Sequence, residues 1–419
     1  MEAGPIESIN HLLLQLAIIL FLAKLAGEVC ERYLRQPPVL GELIIGIIIG
    51  PYALGGIPLL GLGPLFPAPQ SSSGLSVSNE LYAVAQIGVV LLLFVAGLET
   101  DLKRFLRYGA PAALIALGGV VLPFFLGAAA TWGFGFAPNM AAPTALFMGA
   151  ILTATSVGIT TRVLSDIKRL DSTEGITILA AAVIDDVIGI IVLAIVVSLG
   201  ISGVVSIGGI AALAGWAIGF WLALLAGGIL LSVFISRFFL SFKVAGAAIA
   251  LSLALAFFAS ALAGSFGLAT IIGAYSIGLA LSNTDVAKSV DRSLNAIYHF
   301  LVPVFFVVMG MQVNLGAMGQ AWLFGIVVTV LAILGKLAGC GLPALGVGFG
   351  RLGALRIGLG MLPRGEVALI VAGVGLAYAV VSSEIFGVAV MVTIVTTLVA
   401  PPLLVRVFRR GASDKQPRD

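Results

Sequence analysis

The sequence contains very little charge for its length. Only 10% of the 419 residues are Asp, Glu, Lys or Arg, whereas 60% are hydrophobic. Soluble domains carry about 25% charged residues. This composition excludes a large soluble catalytic or nucleotide-binding domain. A helix needs about 20 apolar residues to cross a bilayer, so the chain has room for a dozen or more crossings. We therefore expect an all-α integral membrane protein.

Cysteine and histidine are also scarce, with two residues of each. Cys30 and Cys340 both lie in apolar stretches, which excludes a disulfide framework and a cysteine metal site. The sequence has no phosphate-binding loop, no nucleophile motif and no pattern typical of nucleic-acid binding. We expect a protein that is not an enzyme, carries no cofactor and has membrane lipid as its surroundings.

Thirteen apolar helices are predicted along the chain. The one sizeable loop, 55–78, is rich in Gly, Pro and Ser. Several helices exceed the length that a crossing requires, which favours tilting. The predicted helices are 9–34, 38–54, 79–98, 108–134, 140–163, 174–200, 204–236, 244–263, 267–282, 294–312, 320–349, 354–378 and 384–407.

The basic residues alternate between the junctions of these helices. Nineteen of the 22 Lys and Arg residues lie in every second junction and at the C-terminus, and the other junctions and the N-terminus have none. Loops rich in Lys and Arg stay in the cytoplasm. The alternation therefore predicts a multi-pass membrane protein with a cytoplasmic C-terminus and an N-terminus outside.

Two pairs of helices carry similar sequences. Residues 94–102 match 307–315 position by position, and Leu43 to Gly46 match Thr270 to Gly273. The members of each pair are offset by seven positions in the order of helices, and an odd offset means that they cross in opposite directions. This pattern is typical of an inverted-topology repeat. We predict one membrane transport domain over 1–419, with copies at about 9–200 and 244–407 joined by a connecting helix, 204–236, and with no soluble regulatory domain.

Five charged residues lie near the middle of predicted helices. Each costs about 2.5–3.5 kcal/mol at a helix centre unless it is paired or hydrated. Two positive charges face three carboxylates, so one carboxylate remains to bind a mobile cation or a proton. The five residues are Asp185, Asp186, Lys336, Arg364 and Glu366.

Two helices contain interruptions at matching positions of the repeat. Pro363 and Gly365 predict a break in helix 354–378, because proline lacks a backbone donor and glycine relaxes the chain. The corresponding helix, 140–163, has Thr155 and Ser156 at its middle. Broken helices that cross near the midplane indicate a binding site. Hydroxyl and carbonyl oxygens there could coordinate a hard cation beside a carboxylate.

Structural interpretations of the same residues stay open. The two aspartates could form salt bridges only, and Lys336 could be no more than their partner. Arg364 and Glu366 are better explained as a stabilising ion pair than as substrate contacts, and the two hydroxyl residues could simply pack between helices. Glu42, at the start of helix 38–54, fits a helix-start or vestibule role.

Six segments together resemble the monovalent cation/proton antiporter superfamily in its bacterial sodium/proton exchanger branch. The resemblance runs from about 36 to 405, and the ordered set is far more specific than any one segment. The segments are FVAGLETDL (94–102), ATSVGITTRVL (154–164), VIDDVIGIIVLA (183–194), GLATIIGAYSIGLAL (267–281), VPVFFVVMGMQVNL (302–315) and MLPRGEVALI (361–370).

The resemblance implies a homodimer in which a six-helix core moves like an elevator against a dimerisation part. It implies that Asp186 binds the cation or proton and that Asp185 pairs with Lys336. It also implies that Thr155 and Ser156 line the site. Two further residues, Arg364 and Glu366, are implied to stabilise the crossing of the broken helices.

The resemblance favours sodium over potassium as the cargo. Potassium-efflux relatives look similar but carry Gln-Asp where this chain has Asp185 and Asp186, and they add a nucleotide-binding domain. An Asp-Asp pair with a membrane lysine resembles electrogenic members, which move two protons per sodium. We predict secondary active exchange of Na⁺ or Li⁺ for H⁺ by alternating access. Potassium/proton exchange and a gated cation channel are the alternatives.

Overall fold

The computed structural model describes residues 5–59, 63–67, 77–202, 207–314, 321–378 and 380–410, which are mostly helical. A π-helical turn, Cys30–Leu34, extends α1. Two strands of two residues each, Pro58–Leu59 and Gly63–Pro64, pair antiparallel. The helices are α1 Pro5–Val29, α2 Pro38–Ile49, α3 Asn79–Glu99, α4 Leu102–Gly133, α5 Pro143–Thr153, α6 Val157–Asp166, α7 Thr173–Ser202, α8 Ile207–Leu240, α9 Ala247–Ser265, α10 Thr270–Leu281, α11 Asp285–Met311, α12 Trp322–Gly346, α13 Arg351–Gly360, α14 Glu366–Ala377 and α15 Ser383–Phe408.

The helices confirm the all-α membrane fold. Eleven in the described ranges are long and apolar enough to cross a bilayer. Two further apolar helices, Thr270–Leu281 and Val367–Leu376, are shorter. They lie in the predicted helices 267–282 and 354–378. Each of the thirteen predicted segments contains helix in its described residues, while thirteen as a number of crossings stays a prediction.

The start of α4 is earlier than the sequence suggested. It begins at Leu102, whereas apolar content predicted 108. Asp101 causes the difference, because its side chain accepts hydrogen bonds from the backbone N–H groups of Lys103 (2.8 Å) and Arg104 (3.1 Å). Such a cap satisfies N–H groups that would otherwise lack partners at a helix start. A basic first turn therefore precedes the apolar part of the helix.

Two of the predicted helices are interrupted. Residues 140–163 form α5 and α6 with an extended segment, 154–156, between them. Residues 354–378 form α13 and α14, separated by 361–365. Pro363 cannot donate a backbone hydrogen bond, and Gly365 has the extended φ of −142° at the start of α14. The interruptions fall where the sequence predicted them.

The helices form two groups by their contacts. In the first group, which we call the core, α4 packs on α5, α7 and α12, and α13, α14 and α15 pack against this set. In the second, which we call the panel, α11 packs on α1, α2 and α3, and α10 packs on α3 and α9. Helix α8 contacts helices of both groups. Short helix α6 belongs to the core by sequence and lies against α2 and α3 of the panel.

Glycines allow the panel helices to approach each other closely. Gly46 of α2 faces Gly310 of α11, and Gly97 of α3 faces Gly278 of α10. A Cβ on any of the four would overlap the backbone of the facing helix. Small residues at such crossings let backbones touch, which is how many membrane helices associate.

The packing also assigns a register to the second pair of similar sequences. Gly41 and Gly273 lie against backbone carbonyls of α1 and α9 respectively, and each is followed five residues later by a glycine at a helix crossing. Gly46 and Gly278 are therefore the equivalent positions. The sequence match had paired Gly46 with Gly273, a register that apolar runs allow by chance.

Candidate functional site

The two interruptions meet inside the core. Three hydrogen bonds join the two interruptions. Their donors lie between α5 and α6 or in the first turns of α6, and their acceptors are carbonyl oxygens of residues 360, 361 and 363. The bonds are Ser156 N–H to Pro363 O (2.7 Å), Thr155 Oγ1 to Met361 O (3.3 Å) and Thr160 Oγ1 to Gly360 O (2.6 Å). Backbone groups that the breaks release from helical bonding thus find partners across the crossing, as a buried site requires.

The crossing is tight enough to require glycine at one position. A Cβ on Gly365 would lie 2.8 Å from Ser156 Oγ and 3.0 Å from its Cβ. The side chain of Met309, from the panel helix α11, lies within 3.5 Å of the same point. Gly365 therefore allows the polar segment of one broken helix to lie against the other, next to the panel.

Arg364 occupies the centre of this arrangement. Its side chain is fully buried, and it donates to the carbonyl oxygens of Leu152 (2.8 Å), Ala332 (3.3 Å) and Leu362 (3.3 Å). Leu152 lies in the last turn of α5, where the carbonyls lack helical partners and the helix dipole is negative. The guanidinium therefore compensates the C-terminal end of a broken helix.

A buried ion pair connects the neighbouring helices α7 and α12. Lys336 Nζ lies 3.1 Å from Asp185 Oδ1, and both side chains are almost wholly buried. Arg364 is close enough to Asp185 for an electrostatic interaction. Asp186 follows on α7, is only 5% exposed, and projects about 100° away around the helix. The structure thus brings together charges that lie some 150 residues apart in sequence.

Glu366 begins α14, at the N-terminal end of the second broken helix. Its side chain lies outside the described residues, so its predicted part in the crossing stays a prediction. The other predicted residues all lie in the core, on α7, α12 and the two interrupted segments.

The donor atoms at the crossing are oxygens. In the part of the chain that the structure describes, no three His, Cys, Asp or Glu side chains are grouped in a way that holds a metal ion. Hydroxyls, carbonyls and carboxylates are the ligands of hard cations. The arrangement therefore suits a hard cation better than a transition metal.

Sequence reasoning missed two further buried arginines. Arg162 and Arg356 lie near the ends of the predicted helices 140–163 and 354–378 and were counted with the basic residues of the adjoining junctions, but the structure buries them within α6 and α13, at 3% and 1% exposure. Arg356 Nη1 lies 2.6 Å from Glu174 Oε1 of α7. Their positions at helix ends made them look like loop residues, and no pattern in the sequence marked their partners.

Comparison with known proteins gives full-length matches. The family model described as "Sodium/hydrogen exchanger, transmembrane" matches residues 17–410. The high-affinity Na⁺/H⁺ antiporter NhaS3 of Synechocystis is 38% identical, over 99% of this chain and 94% of that protein. The Na⁺/H⁺-K⁺ antiporter GerN of Bacillus cereus is 37% identical, over 96% of this chain and 97% of that protein.

A solved structure has a similar fold. The sodium proton antiporter MjNhaP1 of Methanocaldococcus jannaschii matches with a TM-score of 0.65 at 17% identity. The match covers 95% of this chain and 96% of that one. The arrangement of core and panel helices therefore has a counterpart among solved transporters.

Proposed function

The chain belongs to the sodium/hydrogen exchanger family, and we propose on this premise that it exchanges Na⁺ for H⁺ across a membrane by secondary active antiport. The observation that carries this function is the joining of two interrupted helices by hydrogen bonds beside a buried Lys336–Asp185 pair. Intramembrane ionisable groups at such a crossing are the parts from which ion pathways are built. Na⁺ and H⁺ are cargo, so the function requires no cofactor and no enzymatic step.

Asp186 is the residue that we assign to the cargo. It is buried in the core on the same helix as Asp185, whose carboxylate contacts Lys336. A carboxylate can hold a proton or a sodium ion, and each occupant neutralises the charge that attracts the other. Mutual exclusion at one group is sufficient to couple the two ion flows, provided that the site opens to one side at a time.

Thr155 and Ser156 supply neutral oxygens for a desolvated sodium ion. The Thr155 hydroxyl donates its hydrogen to Met361 O, which leaves its oxygen lone pairs available as ligands. Carbonyl oxygens of the interrupted segments are the other ligands in this assignment. Arg364 and Glu366 act on the helix ends rather than on the ion.

Alternating access is proposed to arise from motion of the core against the panel. The equivalent glycine positions in α2 and α10 support the inverted repeat, because the crossing of α2 with α11 reproduces that of α10 with α3. A backbone-packed panel is suited to remain rigid while the polar core moves. The homodimer that the resemblance implies stays a prediction.

The orientation follows from the charges. The face that carries the Lys- and Arg-rich junctions, which we call the basic face, is proposed to be cytoplasmic. The C-terminus then lies inside and the N-terminus outside, in the inner membrane of a bacterium. Protease protection of tags at the two ends in oriented vesicles tests this assignment.

Flux measurements in proteoliposomes at a clamped membrane potential test the function. We expect a sodium gradient to drive proton movement, and the apparent affinity for Na⁺ to fall as pH falls, because protons compete for Asp186. A dependence of the rate on membrane potential supports electrogenic exchange. Sodium flux without proton counterflow would instead indicate a channel.

Potassium is the second cargo to test, since GerN is described as a Na⁺/H⁺-K⁺ antiporter. The same liposomes with K⁺ in place of Na⁺ separate the two cases. Proton flux driven by K⁺ alone, with no response to Na⁺, would replace sodium by potassium in the proposal.

A further inference from the structure

A second charged cluster lies outside the ion site, between the core and the panel. Arg162 Nε lies 3.2 Å from Asp166 Oδ1, and its Nη2 lies 3.8 Å from Glu42 Oε1. Its guanidinium carbon lies 5.1 Å from the centre of the Tyr298 ring, which is a cation–π distance. We call Glu42, Arg162, Asp166 and Tyr298 the boundary cluster. The side chains of Glu42 and Arg162 are almost completely buried.

The members of the cluster come from both helix groups. Arg162 and Asp166 belong to α6 of the core, whereas Glu42 belongs to α2 and Tyr298 to α11 of the panel. Any sliding of core against panel must therefore separate Arg162 from Glu42 and Tyr298. The ion pair between Arg162 and Asp166 lies within α6 and moves with that helix.

The cluster lines an open cavity and shares helix α6 with the crossing. A cavity of about 470 Å³ at the basic face is lined by Glu42, Arg162 and Asp166, together with Arg35 and Arg409. Arg162 follows Ser156 by six residues of helix, a rise of about 9 Å. Arg162 thus lies both in the wall of this cavity and within about two helical turns of Ser156, so we take this cavity as the basic-face route to the ion site.

The cluster is held together incompletely. Glu42 Oε2 and Asp166 Oδ2 are buried and have no hydrogen-bond partner among the described residues. A buried ion pair with unsatisfied oxygens gains little net stability, although loss of one partner is costly. The closed contact is therefore suited to open and close rather than to hold the fold.

We propose that Arg162 is a positioning residue that closes the basic-face route to the ion site by binding Glu42 and Tyr298 of the panel. It must release both before the core moves. This inference rests on the proposed function, since it assigns the gate of that transport cycle. Arg162 does not touch the cargo, and it controls which state of the core is populated.

Accessibility of the ion site tests the gate without requiring transport. Ser156→Cys is introduced in a background in which Cys30 and Cys340 are replaced by Ala. A membrane-impermeant methanethiosulfonate reagent is then applied to each face of vesicles separately. With the gate intact, we expect slow labelling from the basic face.

Glu42→Gln removes the panel charge with little change in shape. We expect labelling from the basic face to become about tenfold faster, as when a minor open state rises from about 1% to about 10%. Arg162→Ala gives the same change, and Arg162→Lys restores part of the slow labelling.

Glu174→Gln is the matched control. It removes the carboxylate of another buried Arg–carboxylate pair, with Arg356, but both of those residues lie in the core. Labelling should stay at the parent rate. Equal rates for Glu42→Gln and the parent would overturn the gate, even if Arg162→Ala fails to fold.

Transport adds a readout that separates positioning from binding. Glu42→Gln should change the maximal exchange rate and lower the apparent KM for Na⁺ presented at the basic face, because a larger open fraction lowers the apparent dissociation constant of an ion that binds the open state. A raised KM with an unchanged maximal rate would also overturn the assignment. Faster labelling in the Ser156→Cys background, together with no Na⁺ exchange by the protein that retains Ser156, would uphold the gate and contradict the proposed function.

Discussion

The core and the panel both have glycine crossings, such as that of Gly118 in α4 with Gly339 in α12 of the core, and they differ in what is added to these contacts. In the core, buried charges and hydrogen bonds to interrupted backbone join the helices, as with Lys336–Asp185 and Arg364. In the panel, pairs such as Gly46–Gly310 bring backbones into direct contact. Polar groups in an apolar medium are expensive, and charged residues inside a membrane commonly mark ion pathways. Glycine contacts cost no desolvation and suit a support that need not change.

The largest expected effect of a single change in the core is loss of exchange. Asp186→Asn keeps the shape of the side chain but removes the charge that attracts both Na⁺ and H⁺. We expect no exchange in everted vesicles and a normal yield of folded protein. Asp285→Asn is the control, because that carboxylate is exposed on α11, and it should transport like the parent. Exchange by Asp186→Asn would remove this residue from the mechanism.

Breaking the core ion pair should reduce stability strongly. Lys336→Gln leaves the Asp185 carboxylate buried without its lysine, at a cost of about 3–5 kcal/mol. Thermal unfolding in detergent should show a clear fall in midpoint, and the double variant with Asp185→Asn should recover part of it. Lys288→Gln breaks an exposed pair and should change little. A double variant no more stable than Lys336→Gln would contradict the proposed coupling.

The panel should be sensitive to added volume rather than to lost charge. Gly97→Ala places a methyl group against the backbone of α10, and overpacking of this kind costs about 1–3 kcal/mol. Gly219→Ala in α8 is the matched control, since nothing lies near the added methyl group. A thermal midpoint lowered equally in both, or in neither, would contradict the close-packed panel.

The smallest effect is expected at the crossing. Thr155→Val removes the hydroxyl that donates to Met361 O and that we assign to sodium. One hydrogen-bonding group contributes about 0.5–1.5 kcal/mol, which corresponds to a KM for Na⁺ several-fold above that of the parent. Thr131→Val removes a buried hydroxyl bonded within α4 and should leave KM unchanged. Equal KM values for the two variants would remove Thr155 from the ion site.

Much of the core was predictable because its signals are local and costly. A proline and a glycine around a charged residue in an apolar helix predict a break. The structure has this break between α13 and α14. Charges in the middle of such helices predict partners, and Asp185 has Lys336. Arg162 carried no such signal, because an arginine near a helix end fits a loop equally well.

The sequence by itself determined that the chain lies in a membrane and which segments form its helices. It also determined which charged residues cost too much free energy in the middle of a helix to lie there without a partner or a function. These properties follow from composition and from neighbours along the chain. Only the tertiary structure decided which charge meets which, the register of the glycine crossings and the placement of Arg162 between core and panel. Those contacts join residues that are distant in sequence, and apolar helices of similar composition can pack in many registers until backbone shape selects one.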